Sequence, residues 1–181
     1  MMSLYERVTQ QSKRQNLALH FCPRVVDLPL PMQRFDDPFL PFGKAVINAS
    51  RDFVSLYIFD VPSYLAIGAA GAVALERTID YLNDEIPCVL HGPFASTSFT
   101  KVLDKLAFGA DALTISYTPA AFKLVNVHAQ VEGEWMPADD KLVLAGQNEQ
   151  VTALRVAGDS VVYRHRQFDF QEALRASFEA L

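Results

Sequence analysis

The stretch Ile86-Pro-Cys-Val-Leu-His-Gly-Pro-Phe-Ala-Ser-Thr-Ser-Phe-Thr100 contains the strand-to-helix pattern on which the fold of this chain is built. Its short apolar run, residues 87–90, predicts a buried β-strand. A helix is expected to follow over residues 99–108, with Gly109 suited to end it. The stretch therefore indicates one strand–helix unit, and His91 lies where the strand ends.

The same alternation extends over most of the chain. Strands are predicted at residues 17–22, 54–59, 87–90, 112–116, 141–145 and 160–164. Helices are predicted at residues 3–15, 42–53, 63–82, 99–108, 149–157 and 170–180, the third of them interrupted near Gly68 and Gly71. Strands that alternate with helices indicate βαβ units and a parallel sheet. Only residues 122–131 break this pattern, since their alternating hydrophobicity favours a strand.

Composition limits the classes of protein that fit. The chain has 181 residues, half of them hydrophobic, which is enough for one core, so a single domain over residues 1–181 is expected. A net charge of −5 argues against a nucleic-acid or anionic-membrane partner. Cys22 and Cys88 lie in apolar runs and are expected to be reduced thiols, which indicates a cytoplasmic protein without a signal peptide or a membrane span. Neither a glycine-rich phosphate loop nor a nucleophile elbow occurs, and no cofactor is predicted.

Four segments of the chain resemble one enzyme family. They are residues 37–52, residues 67–81 (Ile-Gly-Ala-Ala-Gly-Ala-Val-Ala-Leu-Glu-Arg-Thr-Ile-Asp-Tyr), residues 86–100, and residues 109–116. Together they resemble the bacterial branch of the orotidine 5'-phosphate decarboxylases, which make UMP from OMP. The resemblance implies an α/β fold, with a TIM-barrel-derived parallel sheet and alternating helices. Such barrels need about 250 residues, so an incomplete or modified (β/α)8 barrel lacking about two units is predicted.

The missing units fall between residues 118 and 141. Their loss would expose backbone groups at the edges of the sheet, and these groups must be paired or covered. Two solutions are open: the segment 122–145 forms a hairpin that closes the gap, or another subunit covers it. The family forms dimers, and the apolar, proline-rich segment 28–42 adds surface to bury, so a homodimer is predicted.

The family's catalytic residues are replaced in this chain. The family carries Asp-Ala-Lys-Arg-Gly-Asp-Ile after its third strand, and the aligned residues here are His91-Gly-Pro-Phe-Ala-Ser-Thr97. His91, Pro93 and Ser96 thus stand where the family has two acids and a lysine. Cys22 replaces the aspartate of the first strand, and Ile58 replaces the lysine of the second. The resemblance therefore predicts a pseudoenzyme of pyrimidine biosynthesis that has lost decarboxylase activity.

The residues that hold the substrate phosphate in the family have counterparts. These are Gln147, Arg164 and Thr100, with Arg166 as an alternative to Arg164. Arginine suits the task because its planar donor fork matches phosphate oxygens. A retained site for a phosphorylated, UMP-like small molecule is therefore predicted, although Glu149 would repel such a ligand. Alternatively, Gln147 is a loop residue and Arg164 is a solvated strand end.

A second functional hypothesis rests on the histidines. The alignment points Cys22 and His91 into the barrel mouth, and His20 lies two residues before Cys22 on the same side of its strand. Imidazole and thiolate suit zinc, so these three residues are metal candidates or the basis of an enzyme of different chemistry. The alternative is a plugged structural or interaction module, in which they fill a former pocket. Trp135 either marks a partner surface or covers the bottom of the core.

Overall fold

Eight strands form a closed barrel in the computed structural model, which describes residues 2–11, 16–83, 85–105, 107–118 and 120–181. The strands are β1 Leu17–Phe21, β2 Leu56–Asp60, β3 Cys88–His91, β4 Ala112–Thr118, β5 Ala121–Val125, β6 Val131–Met136, β7 Lys141–Ala145 and β8 Val151–Ala157. The α-helices are α1 Leu4–Gln10, α2 Phe39–Ser50, α3 Val61–Leu65, α4 Ala69–Leu82, α5 Asp159–Val162 and α6 Phe170–Glu179. Short 3₁₀ segments occupy Val25–Asp27, Thr97–Leu103 and Pro137–Asp139.

The first half of the barrel is built from parallel strand–helix units. Strands β1 to β4 pair in parallel, and helical segments connect them. The predicted helix 63–82 is interrupted at Gly68, which caps α4 with a φ of 73°. The register aligns His20 with Ile58 and Asp60 with His91, so the carboxyl ends of β1, β2 and β3 meet at one end of the barrel. This end is called the mouth below.

The second half of the barrel is an antiparallel meander. Strands β4 to β8 each run antiparallel to the next, and β8 pairs in parallel with β1 to close the barrel. The prediction of a modified (β/α)8 barrel is confirmed. Of the two ways to close the gap, the structure takes the hairpin: β5, β6 and β7 replace the missing units within the chain.

Three predictions of secondary structure were wrong. Residues 149–157 form a turn and β8, residues 160–164 include the end of α5, and a 3₁₀ segment starts the expected helix 99–108. In β8, Leu154 and Val156 face the barrel core while Arg155 is exposed, which is the two-residue period of a strand. The pairing with β7 and β1 satisfies the backbone of this segment, so it is extended.

The meander needs no covering helices because its outer face is polar. Lys123, Glu134 and Arg155 alternate with inward apolar residues along β5, β6 and β8. An antiparallel sheet can expose one face to water in this way, whereas parallel strands are normally covered on both faces. The helices α2, α4 and α6 pack together outside the parallel half. Among the described residues, none of the helices is both long and apolar enough to cross a bilayer.

Helix α1 closes the end of the barrel opposite the mouth. Ser3 and Glu6 form a reciprocal capping box at its start, and the backbone N–H of Leu4 donates to Glu132 at 3.1 Å. Leu4 and Val8 are buried against the core that fills the barrel. That core includes Ile58, so the barrel interior is packed with side chains.

Candidate functional site

Three ionisable side chains converge at the mouth. They are His20 near the end of β1, Asp60 at the end of β2 and His91 at the end of β3. One potential ligand atom from each lies within 4.8 Å of the others. The side chain of His20 is 23% exposed and that of Asp60 14%, so the group opens to solvent on the side of His20. We call these three residues the mouth triad.

His91 is held firmly in place. Its Nδ1 lies 2.8 Å from the Thr114 hydroxyl oxygen, which also accepts a hydrogen bond from the backbone N–H of Gly92 at 3.1 Å. This contact occupies Nδ1 and leaves Nε2 as the free ring nitrogen. Burial, and next the charge of His20, lower the pKa of His91 to about 4. The imidazole is therefore neutral at neutral pH and offers a lone pair.

Asp60 is oriented by the helix that it caps. Its Oδ2 accepts hydrogen bonds from the backbone N–H of Ser63, at 2.9 Å, and from the Ser63 hydroxyl, as expected of an N-cap aspartate. Its Oδ1 lies 3.8 Å from Nε2 of His20. Burial would raise the pKa of Asp60, but the interactions with His20 and Ser63 outweigh it and hold the pKa below its ordinary value. Asp60 is thus an anion beside two imidazoles.

Cys22 borders the triad on its exposed side. Its Sγ lies 3.2 Å from Nε2 of His20. Burial, with the negative charges of Asp60 and Asp159, raises the pKa of the Cys22 thiol far above its ordinary value. A protonated thiol is a poor nucleophile, so the surroundings of Cys22 argue against cysteine-based catalysis.

Trp135, from β6, contacts both imidazoles of the triad. It is 3% exposed, so the hypothesis that it marks a partner surface was wrong. Its ring meets those of His20 and His91 edge-on, at centroid distances of 4.7 and 4.8 Å, and Phe122 packs beside it. Among the described residues, its indole Nε1 is one of the few buried polar atoms that lack a hydrogen-bond partner.

The other positions that the resemblance aligns with the family's catalytic residues lie outside the triad. Ile58 is fully buried in the barrel interior. Pro93 and Ser96 are exposed on the loop that follows β3, and the hydroxyls of Ser96 and Ser98 lie 2.8 Å apart. The structure therefore brings His20, Cys22 and His91 together and leaves Pro93 and Ser96 on the outer rim.

The residues predicted to hold a phosphate are spread over the molecule. Gln147 lies in the turn between β7 and β8, at the end opposite the mouth, where it lines a cleft beside α1. Arg164 follows α5 on the mouth side, and Thr100 is buried with its hydroxyl donating to the Thr97 carbonyl at 3.0 Å. Because β7 runs antiparallel to β8, the turn after β7, which contains Gln147, lies far from the mouth. Gln147 and Arg164 therefore do not share one phosphate site in this structure.

Asp60 is the member of the mouth triad that the sequence analysis did not name. It directly follows the predicted strand 54–59, and it follows the inward-facing Ile58 by two residues, so it faces inward as well. Its partnership with His91 depends on the pairing of β2 with β3. The alternation of inward and outward residues along β2 was therefore the sequence signal that could have identified Asp60 as a mouth residue.

Comparison with known proteins identifies similar sequences. A Flavobacterium johnsoniae orotidine 5'-phosphate decarboxylase is 30% identical over 169 residues, which cover 93% of this chain and 56% of that protein. Proteins of the same name from Herpetosiphon aurantiacus and Thermomicrobium roseum are 32% and 33% identical over 61% and 63% of this chain, and each is covered to 43%. The chain thus spans about half the length of these curated relatives. No protein-family model matches it.

Solved structures share the fold. A Streptomyces avermitilis protein described as an orotidine 5'-phosphate decarboxylase superposes with a TM-score of 0.53 at 17% identity, over 64% of this chain and 44% of that one. Leishmania donovani UMP synthase gives a TM-score of 0.51 at 19% identity, over 64% of this chain and 25% of its own.

Proposed function

The chain is a shortened relative of the orotidine 5'-phosphate decarboxylases, and from that premise we propose that it no longer decarboxylates OMP. In its place we propose a non-catalytic binding or regulatory role centred on the barrel mouth. The single observation that carries this proposal is the composition of the mouth. Two histidines, both in contact with Trp135, and an aspartate face the space where the resemblance expects alternating acids and lysines.

Decarboxylation needs charged groups in fixed positions, because preorganised electrostatic stabilisation is usually the largest contribution to catalysis. His91 is buried and neutral at neutral pH, Ile58 carries no charge, and Pro93 is on the exposed rim. Among the described residues, the mouth triad supplies neither an ammonium proton donor nor a second carboxylate beside Asp60. An assay of OMP consumption by the purified protein tests the proposal, with the outcome argued in the Discussion.

A second candidate function is retained affinity for a phosphorylated small molecule such as UMP. Arg164 supports it, because this arginine is exposed and follows Tyr163, whose hydroxyl donates to the Cys22 carbonyl at 2.8 Å. That contact ties the Arg164 segment to the end of β1. A guanidinium on the rim of the mouth could bind a phosphate without help from Gln147.

Thermal shift measurements with UMP, OMP, ribose phosphate and inorganic phosphate test this affinity. A ligand at 100 times its dissociation constant stabilises the folded state by about 2.7 kcal/mol, which corresponds to a rise in Tm of roughly 5–10 °C. We expect the Arg164→Ala variant to lose the shift and Arg175→Ala, which removes an arginine paired with Asp52 on the outer surface, to keep it. An equal shift in the wild type and both variants would exclude Arg164 as the phosphate ligand.

We also propose that the protein is a homodimer. The support is a set of three exposed apolar side chains in the segment between β1 and α2: Val26 is 83% exposed, Leu30 45% and Phe35 40%. Light scattering at tens of micromolar is expected to give twice the 20.2 kDa mass of one chain. The double variant Val26→Asp/Leu30→Asp should be a folded monomer, since both side chains are at the surface. A wild-type protein of monomer mass would contradict the proposal.

A further inference from the structure

We infer that the mouth triad, His20, Asp60 and His91, is a binding site for a divalent transition metal ion, with Zn²⁺ the ion best matched to its donors. Two imidazoles and one carboxylate form a donor set typical of zinc sites that keep a fourth position open. Imidazole donors do not suit Mg²⁺ or Ca²⁺, which prefer oxygen ligands. This inference goes beyond the proposed loss of decarboxylation and does not depend on it.

The spacing of the donors fits an ion. Zinc binds imidazole nitrogen and carboxylate oxygen at about 2.0–2.2 Å, so two donors around a tetrahedral ion are separated by about 3.4 Å. The triad's donors lie within 4.8 Å of one another, so side-chain movements of less than about 1 Å would complete the site. The three residues come from adjacent paired strands, with Asp60 directly opposite His91. The backbone of the site is thus preformed.

Each of two ligands already has an orienting partner. The Thr114 hydroxyl contacts Nδ1 of His91, which leaves Nε2 for the ion. Ser63 binds Oδ2 of Asp60, which leaves Oδ1. Metal-binding histidines and carboxylates are commonly held by such outer hydrogen bonds, which set the tautomer and the direction of the lone pair. In both side chains one polar atom is hydrogen-bonded and the other is left for a ligand. Side chains that only filled space would not require this arrangement.

Trp135 supplies an independent indication that a ligand belongs in the mouth. Its Nε1 is buried without an acceptor among the described residues, and its ring contacts both imidazoles of the triad. A buried N–H without a partner is costly, so such a group calls for an explanation. A water or an anion bound to the ion could accept this hydrogen bond.

Zinc titration of the chelator-treated full chain tests the inference. We expect one Zn²⁺ per chain, a raised Tm on binding, and visible absorption bands of tetrahedral Co²⁺ when cobalt replaces zinc. The Asp60→Asn and His91→Asn variants should bind zinc at least about 100-fold more weakly, because loss of a ligand exceeds the 10–100-fold effect of an outer partner. Thr114→Val should weaken binding by about 10-fold. Asparagine remains a good N-cap, so the Asp60 variant should keep helix α3.

His128→Asn is the matched control, since His128 is exposed in the turn between β5 and β6 at the far end of the barrel. It should bind zinc like the wild type. The inference is overturned if the wild type binds no zinc at stoichiometric ratio, or if the Asp60 and His91 variants retain the affinity of the wild type. Circular dichroism of each variant confirms that it is folded. Failure of the zinc test leaves the OMP assay unaffected, so the two proposals are distinguished.

Discussion

No turnover of OMP is expected from the purified protein, even at high enzyme concentration. The family resemblance aligns Pro93 with the proton-donating lysine, and proline has no side-chain donor and no backbone N–H. The same resemblance aligns His91 and Ser96 with the two acids, and it aligns the buried Ile58 with the second lysine. The measurement is loss of OMP or release of carbon dioxide, with the Flavobacterium johnsoniae relative as the positive control.

Restoring the third-strand residues should not restore activity. In the triple variant His91→Asp/Pro93→Lys/Ser96→Asp, Cys22 and Ile58 still replace two further charged residues, and groups that act as a unit are strongly non-additive. The new aspartate at position 91 would also lie opposite Asp60. Turnover by the unmodified protein that disappears in Arg164→Ala would contradict the proposal and make the chain an enzyme with a rebuilt site.

Replacing Trp135 by alanine is expected to cost about 3–5 kcal/mol of unfolding free energy, the usual range for deleting a buried aromatic side chain. Trp135 is 3% exposed and packs against His20, His91 and Phe122. Its loss would leave a cavity directly beneath the mouth. Urea unfolding followed by circular dichroism measures the change as a shift of the midpoint.

Trp135→Phe is the matched control for the same site. Phenylalanine keeps an aromatic ring in the mouth and removes the N–H that has no partner, so a cost below about 1.5 kcal/mol is expected. A loss below about 1 kcal/mol in the alanine variant would show that Trp135 does not support the barrel. If zinc binding also weakens in the phenylalanine variant, the indole N–H contributes to the fourth position of the ion.

Much of the barrel could be predicted from local patterns. The strands near residues 17–22, 54–59, 87–90 and 112–116 are short apolar runs between breakers, and all four were predicted close to their observed ranges. The closing hairpin was one of two alternatives, because the alternating residues of 122–131 favoured a strand without naming its partner. Strand β8 was missed because its residues are compatible with either structure when they stand alone.

The residues alone were sufficient to predict the parallel half of the barrel and the family resemblance, since both depend on short-range patterns or on identity at a position. The pairing of the strands in the tertiary structure determined the remaining features. It made residues 151–157 a strand, placed Gln147 at the far end from Arg164, and brought Asp60 to His20 and His91. Hydrogen bonds between segments distant in sequence determine these features, because a backbone group is satisfied only by the neighbour that the closed barrel provides.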